Sequence, residues 1–166
     1  MIKDIYGNDL KGGIKMDLER ALEIAIEAHR GQLDKGGEKY IYHPLRVMSQ
    51  MDTNEERIVA ILHDVLEDTN IDMIDLFKEG FDDHIIKAIK FLSRDKDEKY
   101  LDYIKKIKEY DNQFCEGHLH TLVYNVKLAD LEDNMELSRL NEVTDKDISR
   151  QKRYMKAKKI LLEEIE

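Results

Sequence analysis

The chain is poor in the residues that cross-link, kink or span. It holds one cysteine and one proline, and no apolar run approaches bilayer length. A lone cysteine excludes an internal disulfide and suits a reducing cytoplasm. The opening stretch MIKDIYGNDLKGG has no apolar segment, so no secretory signal is expected. Positive charge is in deficit as well. Lys and Arg number 27 against 36 Asp and Glu, a net charge of −9. Sequence-independent nucleic-acid binding works through counterion release by basic side chains, so this balance argues against it. A small anionic ligand stays open, because the local field of a site can differ from the net charge.

What is present is a globular composition, 42% hydrophobic and 38% charged, over 166 residues. That length predicts one domain over 1–166, with 1–15 as a flexible N-terminal segment. Its texture is helical almost throughout. MDLERALEIAIEAHRGQ carries Leu18, Leu22, Ile24, Ala25 and Ala28 at helical spacing, and KGGEKYIY interrupts it with paired glycines. Pro44 suits a first helical position, which predicts a helix from HPLRVMSQM with His43 near its N-cap. NEERIVAILHDVLEDT reads as one helix with a strong apolar stripe. NIDMIDLFKEG and DDHIIKAIKFLS read as short helices, with Gly80 as a stop between them. EKYLDYIKKIKEY and TLVYNVKLADLEDNMELSRL follow as helices. Thr144 and Asp147 form a capping box before a last helix from Ile148 to about Ile165. Strand-like alternation is confined to a short ambiguity at YIYH. The expectation is an all-α domain of seven or eight helices.

Chemistry concentrates in ILHDVLEDT. On a wheel of about 100° per residue, Ile58, Val59, Ile61, Leu62, Val65 and Leu66 cover one side, and His63, Asp64, Glu67 and Asp68 the other. A solvated polar face explains this helix taken alone, yet acids one turn apart repel unless something offsets them. Adjacent His63 and Asp64 offer a nitrogen and an oxygen ligand from one turn, a pair that suits Mn, Fe or Zn better than Ca or Mg. Glu67 and Asp68, one turn on, are placed to orient or deprotonate a water. Candidates for further ligands are His43 upstream and Asp130 within the otherwise apolar VKLADLEDNM, although taken singly the carboxylate also reads as the polar edge of a helix and the histidine as structural. The order H…HD…D on separate helices is hard to reach by accident.

That pattern resembles the HD superfamily of metal-dependent phosphohydrolases. The stretches AIEAHRGQLDKGGEKYIYHPLRV, VAILHDVLEDT and VKLADLEDNM more specifically resemble the ppGpp hydrolase domain of RelA/SpoT proteins and the small alarmone hydrolases, over about 17–140. The resemblance implies an all-α HD helical bundle that removes the 3′-pyrophosphate of guanosine 3′,5′-bis(diphosphate)-type nucleotides through a metal-activated water. It implies that His43, His63, Asp64 and Asp130 bind the metal, usually manganese. Glu67 and Asp68 would then handle the water, while Lys35 and Asn134 contact the nucleotide. The chain departs from the family at Asp34 and Leu131, where arginines stand, and at Asp133, where a histidine stands. These departures touch base recognition more than the hydrolytic core, so another nucleotide or phosphoester, or nucleotide binding without turnover, remains the alternative. The remaining length has no room for a synthetase domain.

Other polar groups carry simpler readings. Cys115, His118 and His120 lack a fourth zinc ligand nearby and read as a polar loop. His29 reads as a hydrogen-bonded helix histidine. The cations from Arg150 to Lys159 read as a solvated face that could also help hold phosphates. The oligomeric state is not readable from the sequence.

Overall fold

The computed structural model describes residues 17–109 and 118–162, and the expectations placed on 1–15, Cys115 and the last residues of the final helix lie outside them. Among the described residues there are nine helical segments and one isolated bridge, Leu33 to Lys39, with no longer strand. The extended pairing therefore falls beside YIYH, whose Tyr42 and His43 are already helical.

Helix α1 (Leu18–Ala28) is capped by Asp17, which accepts from the Glu19 amide at 2.9 Å, and it buries Ala21, Ile24 and Ala25. A loop returns the chain through Gly37, whose φ of 86° suits a residue without Cβ. Helix α2 (Tyr42–Ser49) begins earlier than the proline rule predicts, so Pro44 is its third residue and His43 its second. Both positions are in the first turn, where a missing amide costs nothing.

Helix α3 (Asn54–Leu62) is the centre of the molecule. A reciprocal capping box of Thr53 and Glu56 starts it, and Ile58, Val59, Ala60, Ile61 and Leu62 are all fully buried. A helix with five consecutive buried residues must be covered on every side, and α3 packs against α1, α2, α6 and α8. The single helix expected over NEERIVAILHDVLEDT breaks here. His63 and Asp64 leave the regular ladder, and one turn, α4 (Val65–Asp68), resumes beyond them. Asp64 sits at φ −99°, ψ −5°, in the bridge region, and its carbonyl accepts from the Glu67 and Asp68 amides. His63, still at helical φ −59° and ψ −30°, is buried, against the wheel's placement of it on the polar side. The break also adds a segment: against the seven or eight helices expected, the described residues hold nine segments, one expected helix being divided.

Helix α5 (Met73–Lys78) follows with an Asp72–Asp75 capping box and ends before Gly80, φ 86°. Helices α6 (Asp83–Leu92), α7 (Tyr100–Glu109), α8 (His118–Met135) and α9 (Asp145–Leu162) complete the bundle. α8 starts at His118, inside the stretch read as a loop, and stops at Met135, short of Leu140. Thr144 and Asp147 make the expected capping box, with α9 opening at Asp145. α8 packs against α2, α3, α6 and α9, so it carries residues from the core to the same wall as α2 and the α3–α4 break. No helix among the described residues is long and apolar enough to cross a membrane.

Candidate metal centre

Three elements meet at the α3–α4 break. α2 contributes His43, the break itself His63 and Asp64, and α8 contributes Asp130. His43, His63 and Asp64 each present one donor atom within 4.8 Å of the others. His43 Nε2 lies 3.5 Å from Asp64 Oδ2 and 3.2 Å from Asp130 Oδ1. His63 Nε2 lies 3.0 Å from Asp64 Oδ2 and 3.7 Å from Asp130 Oδ1. The structure thus brings together all four residues expected as ligands.

Each imidazole is anchored through its other nitrogen. His63 Nδ1 lies 2.7 Å from the Ala60 carbonyl, and His43 Nδ1 lies 2.7 Å from Asp133 Oδ2. A carbonyl or ionised carboxylate only accepts, so each Nδ1 donates and each Nε2 faces the cluster. His63 is 2% exposed, and its Nε2 has no hydrogen-bond partner although Asp64 is close. An orphaned buried nitrogen aimed at two carboxylates, with its ring fixed from behind, fits a divalent cation.

The electrostatics point the same way. Burial disfavours charge on His63, but the Asp64 carboxylate outweighs it and raises the imidazole well above its ordinary pKa. His43 is also raised: burial opposes its charge, and Asp130 and Asp133 overcome this. Burial pushes Asp64 and Asp130 up, yet His63 holds Asp64 low and Lys127 holds Asp130 well below the usual carboxylate range. The buried carboxylates therefore stay ionised only with positive charge beside them, from Lys127 and the two imidazoles, and a divalent cation would take the place of the imidazole charge.

Glu67 and Asp68 stand beside the cluster. Partial desolvation and, next, the nearby acids raise Glu67, although the Arg94 amide donates to its Oε2 at 3.0 Å. Asp68 is raised by desolvation and by Asp64. A carboxylate raised in this way is a better proton acceptor than an ordinary one. Tyr40 OH bridges the two groups, donating at 2.5 Å to Asp64 Oδ2 and approaching Asp68 Oδ2 at 3.3 Å.

The cluster opens into a cleft of about 480 Å³. Lys35 and Asn134, expected to contact a nucleotide, both line it. Asn134 Nδ2 also holds Asp130, at 2.5 Å to Oδ1. Of the cations on α9, only Arg150 reaches the cleft, where it pairs with Asp147. His29 is hydrogen-bonded as expected, its Nδ1 2.9 Å from Gln32 Oε1. The two departures at arginine positions separate. Leu131 is fully buried in the core and takes no part in the cleft. Asp34 is on the cleft wall, but its Oδ1 accepts from the Gly36 and Glu38 amides and builds the loop.

Sequence reasoning missed Tyr40, Lys127, Arg46 and the use of Asp133. Lys127 Nζ pairs with Asp130 Oδ2 at 2.7 Å, and Arg46 grips Asp133. The available signal was helical spacing: Lys127 and Asp133 flank Asp130 at i−3 and i+3, so they share its face of α8.

No protein-family model matches the chain. It is 33% identical over 144 residues to a guanosine-3′,5′-bis(diphosphate) 3′-pyrophosphohydrolase of Borreliella burgdorferi, which covers 80% of this chain and 21% of that protein. A protein of the same name from Aquifex aeolicus is 32% identical over 131 residues, covering 72% and 17%. The bifunctional (p)ppGpp synthase/hydrolase SpoT of Escherichia coli is 35% identical over 100 residues, covering 54% and 14%. The chain thus spans about a fifth or less of the length of these curated relatives. Among solved structures, a metazoan orthologue of SpoT that hydrolyses ppGpp and plays a role in starvation responses shares the fold. The TM-score is 0.68, with 21% identity, over 91% of this chain and 86% of that one. Over most of its own length the chain is thus similar in sequence to the SpoT/RelA-type hydrolases, as an HD-type hydrolase-like domain, and it shares the fold of the solved SpoT orthologue.

Proposed function

We propose that this chain is a manganese-dependent hydrolase that removes the 3′-pyrophosphate from guanosine 3′,5′-bis(diphosphate)-type nucleotides, acting in the cytoplasm. The observation that carries it is the convergence of His43, His63, Asp64 and Asp130 in a cleft wall, with Glu67 and Asp68 beside them. The names of the relatives supply the substrate.

His43, His63, Asp64 and Asp130 hold the metal in this reading. The chemistry such an ion supplies when bound is Lewis acidity toward phosphoryl oxygens and a lowered pKa for water. Glu67 and Asp68 take the proton of the attacking water. Tyr40 keeps Asp64 and Asp68 in register. Lys35 and Asn134 hold the nucleotide, and the products are GDP or GTP with a 3′-hydroxyl, and pyrophosphate.

Incubation of ppGpp with the purified chain and Mn²⁺ tests this by detection of pyrophosphate. No release across a range of pH and divalent metals would sink the substrate assignment. A second reading keeps the hydrolase and changes the base. It is favoured by Asp34, a carboxylate on the cleft wall at a position where the family resemblance implies an arginine. Comparative rates over a panel of nucleotides, scored for phosphate and pyrophosphate, decide between the two.

A further inference from the structure

The two ring anchors behind the cluster are unlike in kind. His63 leans on the Ala60 carbonyl, a main-chain group three residues back in the same helix. His43 leans on a side chain from another helix, Asp133 on α8, 90 residues away. Asp133 is buried, and it is itself tightly held. Arg46 Nε donates to its Oδ1 at 2.6 Å and Arg46 Nη2 to its Oδ2 at 2.9 Å, a two-pronged guanidinium grip. Arg139 Nη2 donates to the Asp133 carbonyl at 2.5 Å and lies 3.2 Å from its Oδ2. Two guanidinium groups keep this carboxylate an acceptor, so the ring nitrogen that meets it must be the donor.

The same arrangement reaches the cleft loop. The Arg139 carbonyl lies where a Cβ on Gly36 would come within 2.8 Å, and Asn141 Nδ2 donates to the Gly36 carbonyl at 3.4 Å. Asp133 therefore ties α2 to α8 behind one imidazole, and Arg139, which it holds, packs its carbonyl against the loop that carries Lys35.

Resting on the metal-centre reading above, we infer that Asp133 is a positioning residue: it sets the tautomer and direction of His43 and thereby the metal affinity of the cluster. A carboxylate behind a ligating imidazole raises the basicity of the ligand nitrogen and removes its freedom to rotate. His63 needs no such residue because its own helix provides the acceptor. Arg46 and Arg139 act one step further out, by denying Asp133 other partners.

The test uses the full chain and two readouts other than turnover. The Mn²⁺ dissociation constant is read from the paramagnetic resonance signal of the free ion. Ring ¹⁵N–¹H resonances are recorded on the zinc-loaded protein, zinc serving as a diamagnetic probe. Asp133→Leu is expected to weaken Mn²⁺ binding about 10- to 100-fold and to erase the protected Nδ1–H signal of His43 while leaving that of His63. Asp133→Asn, which keeps size and one acceptor, should fall between it and wild type, and carries the test where Asp133→Leu loses its helical circular dichroism. Arg139→Met should weaken binding less than either. A residue that only supports the fold would lower the melting temperature of the metal-free and metal-loaded protein equally; here the increment due to metal shrinks. Both Asp133 variants binding Mn²⁺ within twofold of wild type, or an unchanged His43 signal, overturn the role of Asp133 alone. Wild type that binds no Mn²⁺ or Zn²⁺ overturns the metal centre, and this inference with it.

Discussion

Lys127→Met probes the electrostatic heart of the site while leaving every proposed ligand in the sequence. Lys127 is 8% exposed, its Nζ 2.7 Å from Asp130 Oδ2 and 5.2 Å from the centre of the Tyr103 ring. At that separation the gross attraction is about 6 kcal/mol for an effective dielectric of about 20. Most of it offsets the desolvation of two buried charges. What removal exposes is the asymmetry: the methionine stem fills the same space, but Asp130 is left as a buried charge with one strong partner fewer. Breaking such a pair costs about 3–5 kcal/mol. For a chain of this size that is a fall of about 6–20 °C in melting temperature. A divalent cation bound beside Asp130 would supply the missing positive charge, so the loss should be smaller in Mn²⁺ than in chelator. The assay is a pair of thermal melts, wild type and variant, each with Mn²⁺ and with EDTA. A loss below about 1 kcal/mol in EDTA, or an identical loss in both conditions, refutes the account of Asp130 as a carboxylate that depends on neighbouring positive charge.

Three further outcomes follow from the same geometry. Asp64→Ala should lose both bound metal and hydrolysis, whereas Glu67→Gln should keep the metal and lose about 10²–10⁴ in rate; full metal occupancy in Asp64→Ala by elemental analysis contradicts the ligand assignment. Glu67→Gln also tests the raised pKa. Folding favours the protonated form of Glu67, so its contribution to stability is present below the ordinary glutamate range and is lost as pH rises through the higher folded value. The metal-free variant should therefore melt above wild type at neutral pH, with the difference vanishing in acid; the opposite trend in a pH series of melts discards the reading. Gly36→Ala forces a Cβ to 2.8 Å from the Arg139 carbonyl, which should cost about 1–3 kcal/mol by overpacking and is checked by denaturant unfolding. A neutral result would show that the loop yields freely.

The fold was legible because its signals are local. The capping box at Thr144, the stop at Gly80 and apolar spacing in α1 and α6 each follow from a few neighbouring residues. The convergence of His43, His63, Asp64 and Asp130 was expected for another reason: their types and order match a related motif, and the structure brings all four to one break in a helix. The break itself was not legible. Periodicity treats His63 as polar and therefore outward, while in the interior the Ala60 carbonyl satisfies its Nδ1 and its Nε2 faces the carboxylates of Asp64 and Asp130. Burial of a polar side chain depends on partners, and those partners come from α2 and α8, at distances in sequence that no helical wheel spans. Asp133 shows the same limit from the other side. Beside Glu132 and Asn134 it reads as one more surface acid, and one turn from Asp130 it reads as repulsion. Only the approach of His43, Arg46 and Arg139 turns it into a buried, paired carboxylate. Whether an acid of α8 is offset by water or by a buried cation is thus decided by tertiary neighbours, which is why the sequence picks out His43, His63, Asp64 and Asp130 but not what holds them in place.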